Sequence, residues 1–159
     1  MMLRMSKLAD YGTVVMTFMA RDPHRVHSAA EVAAHIAVGA PTVSKVLKTL
    51  ARKGLLVSLR GAQGGYRLSC PPAKISVAQI IDAMDGPIGV TECSTMPGMC
   101  SQESGCGVRA NWQKINQILL HALERITLEQ MTRPIPEAIN VSAMRRTGRR
   151  EGSHEPVPT

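Results

Sequence analysis

The sequence predicts a mainly α chain with one small β-hairpin: a winged helix-turn-helix domain followed by a long dimerisation helix. Three observations predict it. Two short helical patterns flank a tight turn in the segment SAAEVAAHIAVGAPTVSKVLKTLARKG. Two short β-prone runs meet at a Gly-rich tip in LLVSLRGAQGGYRLS. A long amphipathic stretch then follows a loop that holds three of the four cysteines.

Leu8, Tyr11, Val14, Val15, Phe18 and Met19 recur at helical spacing, which predicts an opening amphipathic helix over residues 6 to about 20. Ser28 and Glu31 have capping-box spacing before the apolar positions Val32, Ala33 and Ile36. The stretch AVGA breaks that helix, with Gly39 suited to the sharp turn. Pro41 fits a first helical turn, Val43, Val46, Leu47 and Leu50 share an inward face, and Gly54 ends the helix. Two helices about a tight turn form a helix-turn-helix.

The outward face of the second helix carries Thr42, Ser44, Lys45, Lys48 and Arg52, with Pro41 at its start. Small polar and cationic groups there suit base edges and phosphates of a major groove, although any solvated helix face shares that look. Runs at 55–59 and 66–69 make a hairpin directly after this helix, which is a wing. Arg60 at its base and Gln63 at its tip are placed to reach an adjacent minor groove.

Beyond Pro71-Pro72, Ser76 caps a helix to about residue 84, with Val77, Ile80, Ile81 and Met84 on one face and Gly86-Pro87 as its stop. A long helix is predicted over residues 108–125. Its stripe of Trp112, Ile115, Leu119, Ala122 and Ile126, widened by Ile118 and Leu123, is broader than one small domain covers. A two-fold dimer through this helix buries the remainder and pairs two readers on a palindromic duplex. Thr127 caps a short last helix. From Arg133 the chain has four Pro and little periodicity, which predicts a disordered tail over 133–159 containing RRTGRR. The expected organisation is therefore 1–72 as the DNA-binding domain and 73–132 as linker helix, cysteine loop and dimerisation helix.

Charge supports a polyanion partner. Residues 1–69 hold ten Lys/Arg against three Asp/Glu, which is the chain's whole net charge of +7. One Phe, two Tyr and one Trp are too few for a single-strand stacking platform, so duplex DNA fits better. No apolar run approaches the ~20 residues of a membrane span and no signal-like segment opens the chain. A cytoplasmic location is expected, with neither a membrane partner nor a small-molecule substrate. No acid–base constellation or second cofactor motif accompanies the cysteines, so an enzyme is not expected.

The loop CSTMPGMCSQESGC spaces its thiols C-x6-C-x5-C. Four-ligand structural zinc is disfavoured without a C-x2-C pair. A disulfide switch is compatible with Cys106 preceding a helix N-terminus. Iron–sulfur clusters accept thiolates on an adaptable loop plus a non-cysteine ligand. Spacing alone leaves iron–sulfur, redox switch and inert thiols equally placed. Cys70, before Pro71-Pro72, reads as a small packing residue.

The ordered set SKLADYG, LRGAQGGYRLS and three cysteines before a Trp-bearing helix resembles the IscR-type family of iron–sulfur-sensing regulators, over residues 2 to about 132. Within it, DYGTVV looks most like regulators of the SUF iron–sulfur assembly system. The resemblance implies a homodimeric winged-helix transcription regulator whose Cys93, Cys100 and Cys106 ligate a cluster, [2Fe–2S], that sets DNA affinity. Two departures stand out. Arg109 occupies the place of a ligand His, and a guanidinium offers iron no lone pair. The first cysteine spacing is also one residue longer. Family members that sense nitric oxide take a carboxylate from the opening helix, and Asp10 matches that place. Glu92 and Glu103 are local competitors. The alternatives are a nitric-oxide-sensing repressor with a [4Fe–4S] cluster and an architectural DNA binder with incidental cysteines.

Overall fold

The computed structural model describes residues 5–95, 98, 100–101 and 104–133. Its elements are α1 (Lys7–Met19), α2 (Ala29–Ile36), α3 (Ala40–Arg52), β1 (Leu56–Leu59), β2 (Gly65–Leu68), a 3-10 turn (Pro72–Lys74), α4 (Val77–Asp85), α5 (Glu92–Thr95), α6 (Arg109–Arg125) and α7 (Leu128–Met131). Glu103 and the RRTGRR run lie outside the described residues.

Side-chain caps fix the helix starts. Ser6 accepts the Ala9 N–H at 3.1 Å and also bonds Asp85, which ties the start of α1 to the end of α4. Ser28 accepts the Glu31 N–H at 3.1 Å, but this is only half of a capping box. The Glu31 carboxylate turns instead to Arg25, 2.6 Å away, because an ion pair is available there. Ser76 with Gln79 and Thr127 with Gln130 form complete boxes. These two caps are also bridged to each other, with Val77 N–H donating to Ile126 O at 2.9 Å and Leu128 N–H to Ile75 O at 2.7 Å.

The turn between α2 and α3 differs in one detail from expectation. Ala37, not Gly39, takes the left-handed conformation, with φ of 54°. Gly39 is the N-cap of α3 at φ of −54°. The expectation assigned the sharp turn to the residue best suited to it, yet an alanine two positions earlier bears the strain and its N–H closes on Ala33 O.

One core joins the helices. Val15, Met16 and Met19 of α1, Val32 of α2, and Val43, Val46, Leu47 and Leu50 of α3 are all essentially inaccessible. Ile75, Ile80 and Leu128 complete the same cluster. The α1–α4 crossing is close: a Cβ on Gly12 would sit 2.8 Å from Met84 Cγ. The antiparallel hairpin registers Leu56 against Leu68 and Leu59 against Gly65. His27 extends it by pairing both backbone groups with Tyr66 at 2.8 Å. Gly65, at φ of +156°, allows that approach, since a Cβ would meet the His27 carbonyl.

Candidate nucleic-acid interface and cysteine loop

The four buried positions of α3 fix its orientation, so the remaining face points outward. Pro41, Lys45, Lys48 and Arg52 are exposed, and Thr42, Ser44 and Thr49 are half-buried beside them. Pro41, Ser44, Lys45, Lys48, Thr49 and Arg52 line a shallow open depression along this face. Arg52 is steadied by Thr49, its Nη2 donating to Oγ1 at 3.4 Å. Arg60 and Gln63 are both exposed, one directly after β1 and the other in the turn of the hairpin. Gly61 holds the turn at φ of 110°, and a Cβ on Gly64 would come within 2.9 Å of Gly61 O. A compact wing tip results. Among the described residues, Lys45, Lys48 and Arg60 enter no ion pair, so their charge is available to a polyanion.

The cysteines occupy a different environment. All four are free thiols. Cys93 lies in α5 and is buried, whereas Cys100 and Cys106 are half-buried. Cys70 packs against the core near the end of the hairpin, in keeping with a packing role. The short helix α5 was not foreseen in the sequence. Thr91 starts it: its carbonyl accepts the Ser94 N–H at 3.0 Å and the Thr95 N–H at 3.2 Å. The Thr91 hydroxyl lies 3.2 Å from Cys93 Sγ and 2.7 Å from Ser94 Oγ.

Asn116 is the buried residue of α6, and the sequence reading assigns it no role. Its Oδ1 accepts the Val90 N–H at 3.0 Å and its Nδ2 donates to Ile88 O at 3.2 Å. The clue available was a polar residue in line with Leu120 and Leu123 at helical spacing. Around it, α6 leaves Trp112 38%, Ile115 47% and Ile118 62% exposed.

Asp10 is exposed on the first turn of α1, beside a cleft of about 420 Å³ that also involves Val14, Phe18, Arg21, His35 and Met131. Glu92 is exposed at the start of α5 and Arg109 opens α6. Among the described residues no group of three His, Cys, Asp or Glu side chains is positioned to hold a metal ion. The donor types of Cys93, Cys100 and Cys106 suit iron–sulfur ligation. Asp10 is not grouped with the cysteines.

A core-anchored helix with a free cationic outer face, followed at once by a wing carrying an exposed Arg, defines a winged-helix DNA-binding transcription regulator. Residues 5–134 match the model of the Rrf2 family, described as iron-dependent transcriptional regulators, and the chain belongs to that family. Several of its relatives carry the name of HTH-type transcriptional regulators. An HTH-type transcriptional regulator of Aquifex aeolicus is 24% identical over 128 residues, covering 79% of this chain and 89% of that one. The structure of CymR, the global cysteine regulator of B. subtilis, superposes with a TM-score of 0.65 at 27% identity, covering 82% of this chain and 97% of that one. IscR of T. potens gives a TM-score of 0.62 at 24% identity over 94% of each chain, a likeness of fold. No helix among the described residues is long and apolar enough to cross a membrane.

Proposed function

We propose that the chain acts as a homodimer on a two-fold symmetric duplex site and that its cysteine loop makes DNA binding responsive to iron–sulfur status. In this reading residues 1–72 bind DNA, with Pro41, Thr42, Ser44, Lys45 and Lys48 on the major groove and Arg60 and Gln63 at the flanking minor groove. Residues 73–132 sense and dimerise, and 133–159 form the tail. The observation that carries the reading is the outer face of α3: its cations are exposed and enter no ion pair among the described residues, while Val43, Val46, Leu47 and Leu50 on the inner face are buried in the core.

Cys93, Cys100 and Cys106, with Asp10 from a second copy, are the proposed ligands of a [2Fe–2S] cluster, and SUF-type assembly genes are the proposed targets. Bound, such a cluster supplies a thiolate-held redox-active iron centre. Support comes from the donor types, the iron dependence in the family's description, and the exposure of Asp10, which leaves it accessible to a partner's loop. A thiol switch without metal is the second reading. It rests on the free thiols of one loop, with Cys106 just ahead of the N-terminus of α6.

Iron and sulfide counted per chain after anaerobic purification, with the visible spectrum, separate the two. The first reading expects iron and sulfide in equal amounts, lost in Cys93→Ala, Cys100→Ala and Cys106→Ala but kept in Cys70→Ala. Asp10→Ala should keep fold and dimer and shorten the lifetime of the cluster. Wild-type protein without iron, yet with DNA affinity that changes on oxidation, would favour the thiol switch.

A further inference from the structure

The longest helix among the described residues commits a polar residue, rather than an apolar one, to its interior contact. Asn116 is 7% exposed, and a buried amide costs free energy unless both its ends are satisfied. They are satisfied by one short piece of backbone: the Val90 N–H and the Ile88 carbonyl. Two opposed hydrogen bonds to residues two apart fix position and register, which an apolar side chain at 116 would not do.

The clamped piece leads directly into the first cysteine. Gly89 lies between the two bonded residues, and a Cβ there would overlap the Thr95 methyl and come within 3.1 Å of Thr95 Cβ. Thr95 is in turn held by its hydroxyl, which donates to Glu92 O at 3.0 Å and Thr91 O at 3.2 Å. Thr91 touches Cys93 Sγ. Helix α5 has four residues, too few to be stable by itself, so it takes its position from these contacts. A continuous path therefore runs from Asn116 through residues 88–90 and Thr91 to Cys93.

We infer that Asn116 is a positioning residue that ties the segment holding Cys93 to α6 and makes Cys93 the anchored thiol of the loop, with Cys100 and Cys106 more accessible. Its functional meaning rests on the reading of the loop as a sensor, because it couples one sensing thiol to the helix whose neighbouring face carries Trp112, Ile115 and Ile118. A change at the loop then bears on the dimer helix.

The test is the alkylation rate of each cysteine by iodoacetamide, followed by peptide mass mapping on the full-length, reduced, iron-free protein. Wild type should react faster at Cys100 and Cys106 than at Cys93. Asn116→Leu should raise the Cys93 rate by about tenfold or more, since reaction then needs a cheaper local opening. The rate at Cys70 should stay unchanged, which excludes general loosening. Gly89→Ala, which leaves α6 untouched, should act in the same direction, and Asn116→Gln should fall between wild type and Asn116→Leu. An unchanged Cys93 rate in both Asn116→Leu and Gly89→Ala, or a parallel rise at Cys70, would overturn the inference. Iron binding is measured separately: wild type without iron, but with the selective Cys93 effect, would leave the positioning role standing while removing the cluster.

Discussion

Helices α3 and α6 make opposite uses of an amphipathic pattern. In α3, thirteen residues bury Val43, Val46, Leu47 and Leu50 and turn cations outward. In α6, seventeen residues bury only Asn116, while Trp112, Ile115 and Ile118 stay accessible. The first helix is finished by its own chain and offers charge to a partner. The second offers apolar surface, and its interior side packs against α4 and holds the segment leading into the cysteine loop. An exposed polar face needs no explanation, whereas an exposed aromatic and isoleucine stripe marks an association surface. The molecule thus presents two faces of different chemistry: a cationic one suited to a polyanion and an apolar one that we propose a second copy covers.

Truncation separates the two regions most sharply. Leu50→Ala should lower unfolding stability by about 2–5 kcal/mol, because a fully buried side chain leaves a cavity. Chemical denaturation checks this. Ile118→Ala removes a similar side chain from the open face and should leave the stability of the dissociated chain nearly unchanged while weakening self-association. Equal losses in the two variants would erase the distinction between the helices.

The cationic face gives the next effect. Arg60→Ala should weaken specific duplex binding by about 1–3 kcal/mol if the side chain reads a groove. Lys45→Ala and Lys48→Ala should act evenly across sequences and each reduce the salt slope by about 1, since fewer counterions are released. Fluorescence anisotropy over a salt series, with duplexes selected from a random library, measures both. Unchanged affinity and slope in all three variants would remove the DNA-binding role from this face.

The smallest effect concerns the caps. Ser28→Ala should cost about 1 kcal/mol, as one N–H at the start of α2 loses its acceptor. Ser76→Ala should cost about as much as Ser28→Ala, because only the Gln79 N–H loses its acceptor, while the Ser76 N–H bond to Gln79 Oε1 and the bridge to Thr127 have backbone donors and remain. Thermal unfolding of the two variants side by side tests that equality.

Local rules explain what was legible in the sequence. Apolar spacing located α1, α3 and α6, and cap residues at Ser28, Ser76 and Thr127 located helix starts. The Gly-rich tip placed the hairpin. What stayed hidden depends on contacts between distant segments. The bridge between Ser76 and Thr127, which brings Leu128 into the core beside Ile75, has no local signature. Nor has the Asn116 clamp, since the stripe of Trp112, Ile115, Leu119 and Ala122 draws attention to the neighbouring face. In the turn, residue preference favoured Gly39 while the path of the chain required the left-handed bend at Ala37. The cysteines were legible as a cluster in sequence, but their spacing held no information on whether one chain gathers them. Among the described residues it does not.

Sedimentation velocity of the full-length protein at micromolar concentration tests most directly whether the open face of α6 is completed by a second copy. With a chain mass of 17.2 kDa, the wild type should sediment as a species of twice that mass. Replacing Trp112 and Ile115 by Glu should return it to the single-chain mass. A wild type that sediments as a monomer would contradict the account.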